Sequence, residues 1–551
     1  MKTPYQRFWA LIKPDSKEIY QVYTYAFFKG LIALTLPLGI QSIINLIQGG
    51  SVSTSWMVLV FIVVLGIAMG GYIQLMQLRI METIQQNIFT RAAFDFTYRI
   101  PKIKFEEINK YYAPELMNRF FDILTLQKSL SKIVIDFSTA ILQIIFGLIL
   151  LSFYHSFFVL FSILLVLLVY MIIKLTIKKG LETSLQESKY KYNLVSWLEE
   201  LARAKDSFKL AGETNLPESK TDERVVGYLE SREGHFQILQ KQYKLLLVFK
   251  IIVALGLLIV GGLLVLNQQM NIGQFVAAEI IILLVIDSSE KIILNLENIF
   301  DILSSLEKLG QISDLELDGK SINSSLNNNI TNPIHVELKS LSFNYPGRTK
   351  SVINNVNYNF KANNSYCITG DNGSGKSTLL HLISGLYEPK SGSVCINDLP
   401  ILNYDIAKLY KVIGNVLEEE TIFEGTFLEN ITLGREYLKI EDVLWSIEQV
   451  FLSEYVKELP NGIDTLIDVS GAKLSKSVIQ KIIIARSIVN KPKLILFENN
   501  IDLIEETERN KIIDFLTNKA NEWTLISISS NKYFQQKSDT IVHMNDGQII
   551  I

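Results

Sequence analysis

Three long runs in the first half of this 551-residue chain contain no Asp, Glu, Lys or Arg: Gly30 to Leu78, Phe137 to Ile173 and Ile251 to Ala278. A membrane-crossing helix needs about 20 apolar residues, so each of the first two runs is long enough for two crossings. The third covers one crossing and the start of another. The first half is therefore expected to be an α-helical membrane domain of six transmembrane helices, at about 21–46, 56–78, 133–152, 155–176, 244–266 and 273–296.

The connections between spans set their orientation. Gly49 to Trp56, Ser152 to Ser156 and Asn267 to Gly273 carry no Lys or Arg, whereas the two long connections carry many, among them Arg79, Arg91 and Lys104, then Lys178, Lys191 and Arg203. By the positive-inside rule both long loops and both termini are cytoplasmic. Apolar residues recur at helical spacing through Ile84, Phe89, Phe94 and Phe96 and again through Leu194, Trp197, Leu198 and Leu201. The spans should thus run on as helices into the cytosol, turning at Asn109 to Pro114 and Ala211 to Asn215, where contact with a cytosolic domain is expected. Glu279 and Asp287 lie in the last span. Either they line a pathway for a polar substrate, or Glu279 sits near the outer interface and Asp287 is solvated or paired.

A polar stretch, Ser321 to Asn329, marks a linker. Beyond it strands alternate with helices in the α/β layout of a P-loop ATPase domain. The decisive stretch is Gly370-Asp371-Asn372-Gly373-Ser374-Gly375-Lys376-Ser377-Thr378, after an apolar strand and before an apolar-periodic helix. Its glycines let backbone N–H groups curl inward around phosphate oxygens, and the helix start adds the positive end of its dipole. Lys376 should reach the β- and γ-phosphates and the Ser377 hydroxyl should sit on Mg²⁺. A glycine turn that merely joins strand to helix would not need the lysine and hydroxyl in this order.

A net charge of −3 without a basic stripe gives no case for a nucleic-acid partner. The five histidines are scattered singly, without metal spacing, and Cys367 and Cys395 read as buried apolar residues rather than a disulfide. Met1 to Glu18 is polar and shows no cleavable signal or organelle-targeting pattern, so a bacterial inner (plasma) membrane is expected, with no peptidase domain before the first span.

Taken with Phe343-Asn344-Tyr345-Pro346-Gly347, Ile422 to Ile431, and Ile484-Ala485-Arg486-Ser487 before Pro492 to Leu496, these pieces resemble an ABC exporter half-transporter over nearly the whole chain. The resemblance implies a transmembrane domain at 1–312, a linker at 313–333 and a nucleotide-binding domain at 334–551. It implies ATP and Mg²⁺ as cofactors and Tyr345 stacked on adenine. Two nucleotide domains should pair, each ATP lying between one phosphate loop and the partner's Leu-Ser-Gly-Gly-Gln signature.

Most departures from that pattern weaken hydrolysis. The signature reads Leu474-Ser475-Lys476-Ser477-Val478, with both glycines replaced. Glu498 stands where the family has Asp and, one methylene longer, is still expected to hold Mg²⁺ through water, whereas Asn499 replaces the general base; an amide has no useful proton affinity near neutral pH. Glu418 aligns with the glutamine that contacts Mg²⁺, and Ser530 with the histidine that contacts the γ-phosphate. The nearest histidine is His543, in the next strand. ATP binding with little hydrolysis is expected. Two such chains would make two damaged sites, which favours a heterodimer with a more complete half-transporter, although the opposite site would still use this altered signature. The exported substrate is not encoded in any motif. A non-transporting regulatory or scaffold membrane subunit that binds ATP is the alternative, and a homodimeric exporter with unusual catalytic residues a third.

Overall fold

The computed structural model describes residues 3–49, 54–108, 110–111, 113–318, 330–347, 350–417, 421–467, 474–498 and 501–550. Much of the expected linker, together with Asn109, Glu418 and Asn499, lies outside these residues. The chain forms two compact units. The first comprises 1–103 and 108–316, and the second comprises Lys104–Glu107 and 317–551.

Among the described residues the first unit contains six helices long and apolar enough to cross a membrane: Pro4–Gln48, Thr54–Lys102, Glu115–Ser152, Ser156–Arg203, Leu216–Leu266 and Ile272–Ser313. Each contains one of the spans expected from the charge-free runs. The second, fourth and fifth reach about 50 residues, well beyond the roughly 20 that a bilayer requires, so the long loops between spans are helical continuations. Apolar side chains such as Phe61, Leu160 and Leu258 point outward and are exposed, as lipid-facing residues must be. Polar side chains hold the fourth and fifth helices in antiparallel register. Gln242 Nε2 donates to Thr176 Oγ1 (3.1 Å), Thr183 Oγ1 meets His235 Nδ1 (2.9 Å), and Arg232 pairs with Glu187 (3.0 Å). They turn at 211–215, where Gly212 takes φ +74°, a conformation that glycine adopts without a steric clash. In the last span Asp287 is exposed, with no ion pair among the described residues, and Glu279 is half-buried.

Among its described residues the second unit has twelve strands. These are β1 Val336–Phe343, β2 Ile353–Phe360, β3 Ser365–Thr369, β4 Ser391–Ile396, β5 Leu399–Pro400, β6 Ile413–Val416, β7 Gly425–Thr426, β8 Leu466–Ile467, β9 Leu494–Glu498, β10 Thr524–Ile528, β11 Thr540–Asn545 and β12 Gln548–Ile550. An antiparallel sheet, β2-β1-β4-β5, and a mainly parallel one, β12-β11-β3-β10-β9-β6, enclose a core that includes Val336, Phe360, Ile368, Leu379 and Leu496, all fully buried. Parallel strands buried on both faces must be apolar throughout, which Leu494-Ile495-Leu496-Phe497 is. The Lys104–Glu107 segment of this unit places Phe105 edge-on to Tyr387 (5.2 Å) and His381 (5.7 Å), and Glu106 accepts from the Glu388 N–H (3.3 Å). Both cysteines are buried and unbridged, and burial pushes the Cys367 thiol above its ordinary value.

One carboxylate pins the central strand. Asp539 Oδ2 accepts from both the backbone N–H and the hydroxyl of Ser365 (2.9 Å each), and Lys519 pairs with Oδ1 (2.9 Å). Partial burial alone would raise the Asp539 pKa, but these donors outweigh it and hold the carboxyl below its usual range. Because the folded value is depressed, the stabilisation is present at neutral pH and disappears as pH falls through that value. Asp539→Ala should cost about 1–3 kcal/mol, a loss that thermal unfolding of the full chain at neutral pH would register and that should shrink in acid.

Candidate functional site

The site begins where β3 stops. Gly370 takes φ +146°, and a Cβ there would lie 2.0 Å from the Met544 carbonyl oxygen, so only glycine fits. Gly373 (φ +82°) and Gly375 (φ +99°) complete the curl before the helix Lys376–Ser384. Lys376 Nζ donates to the carbonyls of Gly370 (2.9 Å) and Asp371 (2.8 Å), which holds the ammonium over the loop. From behind, the Gly547 N–H donates to the Ser374 carbonyl (3.0 Å). Asp546 (φ +43°) and Gly547 (φ +76°) form the two-residue turn joining β11 to β12, a conformation that Asp-Gly favours.

The strand order brings the remaining pieces together. β10 lies between β3 and β9, so the loop after β10 and the end of β9 open on the same side as the phosphate loop. They enclose a cleft of about 700 Å³, lined by Gly370, Asp371, Asn372 and Lys376 of the loop, by Glu498 and Asp502, and by Ser529, Ser530, Gln535 and His543. Ligands of parallel α/β sheets bind at this carboxyl end of the strands. The Ser530 loop is fixed on its far side: Asn531 Nδ2 donates to Asp502 (2.6 Å), while Asn531 Oδ1 caps the next helix through the Phe534 N–H (3.1 Å).

Of the residues expected from sequence, the cleft thus gathers Gly370, Asp371, Asn372, Lys376, Glu498 and Ser530. Ser377 is exposed on the first helical turn. Thr378 is buried, and its hydroxyl meets that of Tyr345 (2.8 Å), which stands edge-on to Tyr387 (5.5 Å). Ser475 caps the helix Lys476–Ile488, accepting from the Val478 N–H (3.3 Å). Neither it nor Lys476 or Ser477 lines the cleft of its own chain.

His543 and Asp502 are members of the cleft that motif spacing does not point to. Parallel pairing of β11 with β3 sets His543 opposite Thr369, with Nδ1 3.4 Å from Thr369 Oγ1. Spacing alone marks it as no more than the nearest histidine to Ser530, because strand order is not a local property. A short apolar strand ended by Asp-Gly is the available signal for β11.

The glycine curl, the lysine above it and a helix N-terminus behind it fit a polyphosphate. An exposed Ser377 hydroxyl and a cleft-facing Glu498 fit Mg²⁺. No group of three or more His, Cys, Asp or Glu side chains among the described residues is arranged to hold a metal.

A phosphate loop set at the strand ends of this sheet defines a P-loop nucleotide-binding unit in a chain that also carries a six-helix membrane unit. Residues 353–500 match the ABC transporter family. A "putative export ATP-binding/permease protein" of Rickettsia felis is 29% identical over 248 residues, 45% of this chain and 43% of that protein. An ABC transporter ATP-binding protein of Bacillus subtilis is 28% identical over 247 residues, 45% of this chain and 42% of that protein. The chain thus spans less than half the length of these curated relatives. A solved structure of a bacterial Atm1-family ABC exporter with ATP bound shares 17% identity with a TM-score of 0.85, over 97% of this chain and 94% of that one. The second unit therefore carries an ABC transporter domain, and the chain has the fold of an ABC exporter half-transporter.

Proposed function

We propose that this chain is one half of an ABC exporter that binds ATP with Mg²⁺ at its phosphate loop, hydrolyses it poorly, and pairs with a more complete half-transporter to move a substrate outward. The observation that carries the reading is the composition of a single cleft: Lys376, which binds phosphate, shares it with Ser530, a hydroxyl without useful acid–base chemistry near neutral pH. In this reading the loop's N–H groups and Lys376 hold the phosphates, Ser377 and Glu498 orient the metal, and the metal when bound neutralises phosphate charge. Ser530 accepts or donates one hydrogen bond but carries no charge. Asn499 supplies no base.

The position of Ser475, Lys476 and Ser477 outside their own chain's cleft supports a second subunit that receives them. The Lys and Arg content of the long loops supports a cytoplasmic nucleotide unit beneath a bacterial inner membrane. The test is displacement of a fluorescent ATP analogue from the purified chain in lipid with Mg²⁺, alongside steady-state turnover. Displacement at micromolar ATP with turnover at background is expected, and co-purification of a second half-transporter from native membranes would extend it to the pair. Failure of ATP to displace the analogue would mean that the chain is not a nucleotide-binding subunit.

A further inference from the structure

The membrane-crossing helix Ile272–Leu294 is packed on one side and bare on the other. Its buried side carries Ala278, Ile281, Ile282 and Val285; a Cβ added at Gly147 of the helix Ser138–Ser152 would lie 3.4 Å from Ile281 and 3.1 Å from Val285. Along the opposite side Glu279, Leu283 and Asp287 follow one another at intervals of one helical turn. Leu283 is 54% exposed, Asp287 is exposed and Glu279 is half-buried. Hydrocarbon cannot cover a line that carries two carboxylates, because ionisable groups at this depth face a bundle interior or a water-filled cavity.

The charge balance differs between the two ends of the membrane unit. In the half of the expected spans nearest the long loops, acids and bases are mixed: Lys250 pairs with Glu290 (2.6 Å), and Asp287 stands one turn before Lys291, the favourable order for such a pair. Lys29, Lys174, Lys244 and Asp136 lie in that half too. In the half remote from the long loops Glu279 is the one Asp, Glu, Lys or Arg of the expected spans. It forms no hydrogen bond or ion pair among the described residues. The polar groups at that end are neutral. Asn45 and the Gln41 carbonyl lie against Gly273, Tyr154 donates to Gln41 (2.7 Å), and His155 caps its helix with Nδ1 as acceptor (3.1 Å).

We infer that Glu279 is the charge-selecting contact of the translocation pathway, and that the transported substrate is an amphipathic organic cation with its positive head on Glu279 and its apolar body along Leu283. The inference rests on the reading of this chain as one half of an exporter and adds the substrate class to it. A carboxylate without a protein counter-charge attracts a cation strongly where the dielectric is low, and it rejects an anion of the same shape by the same physics. Asp287 does not provide this selection, because Lys291 stands one turn away from it.

The test uses the full chain, with any half-transporter that co-purifies, in lipid nanodiscs without nucleotide. Equilibrium dialysis compares radiolabelled tetraphenylphosphonium with tetraphenylborate, ions of similar size and shape but opposite charge, each corrected for uptake by empty nanodiscs. Saturable binding of the phosphonium alone is expected. Glu279→Gln should weaken it about tenfold or more, whereas Glu279→Asp, which keeps the charge, should stay within about threefold. Equal binding of the two ions, no saturable binding of the phosphonium, or an unchanged affinity in Glu279→Gln overturns the inference. Should Glu279→Gln fail to fold, the comparison of the two ions on the unmodified protein still decides it. Phosphonium binding that persists when ATP fails to displace its fluorescent analogue would strike the nucleotide reading alone, and the reverse result would strike this one alone.

Discussion

Lys376→Ala should lower the affinity for ATP by two orders of magnitude or more, on the order of 3 kcal/mol, while leaving thermal unfolding of the chain almost unchanged. Among the described residues of the loop, the ammonium is the one full positive charge, set above the Gly370 and Asp371 carbonyls at 2.9 and 2.8 Å. Backbone N–H groups and a helix N-terminus would remain in the variant, but these are partial charges. The fold should be spared because Lys376 opens its helix, where alanine is an equally good helix former, and its side chain is only half-buried. Titration of a fluorescent ATP analogue, with melting curves of both proteins, separates the two effects. Unchanged affinity would mean that the glycine curl alone holds the ligand.

The second large effect concerns turnover. The unmodified chain in lipid should hydrolyse ATP at background, and Asn499→Glu together with Ser530→His should raise the rate by about 10²-fold or more, the usual contribution of a positioned general base. Ser530 already lines the cleft with Lys376 and Glu498, on a loop whose next residue is tied to Asp502 at 2.6 Å. A histidine there would start from a fixed backbone on the correct side of the sheet. Asn499 follows directly on Glu498, the last residue of β9. Each single change should do less than the pair, because a base without charge-sensing contacts, or the reverse, completes only part of the machinery. Clear turnover by the unmodified chain, abolished by Lys376→Ala, would show that other residues carry the hydrolysis. His543, facing Thr369 in the same cleft, is the first to replace in that event.

Much of this architecture was legible without coordinates, for reasons of range. A helix satisfies its backbone within a few residues, and a bilayer accepts little else, so charge-free runs and loop charges suffice for six spans and their expected direction. The phosphate loop is equally local, since Gly370, Gly373, Gly375 and Lys376 act through backbone angles and one side chain within a single turn. The turn at Gly212 and the burial of both cysteines follow from composition in the same way.

Only the tertiary structure could decide which distant segments meet. Parallel strands pair through crossovers of many residues, so nothing near His543 announces that β11 lies against β3, or that Asp502 bonds to Asn531. The sequence by itself determined the elements, their order and the chemistry of the phosphate loop, because short-range backbone geometry and hydrophobicity encode those. Which side chains share a cleft was decided by packing, because burial acts on whole surfaces and brings together residues that no local pattern connects.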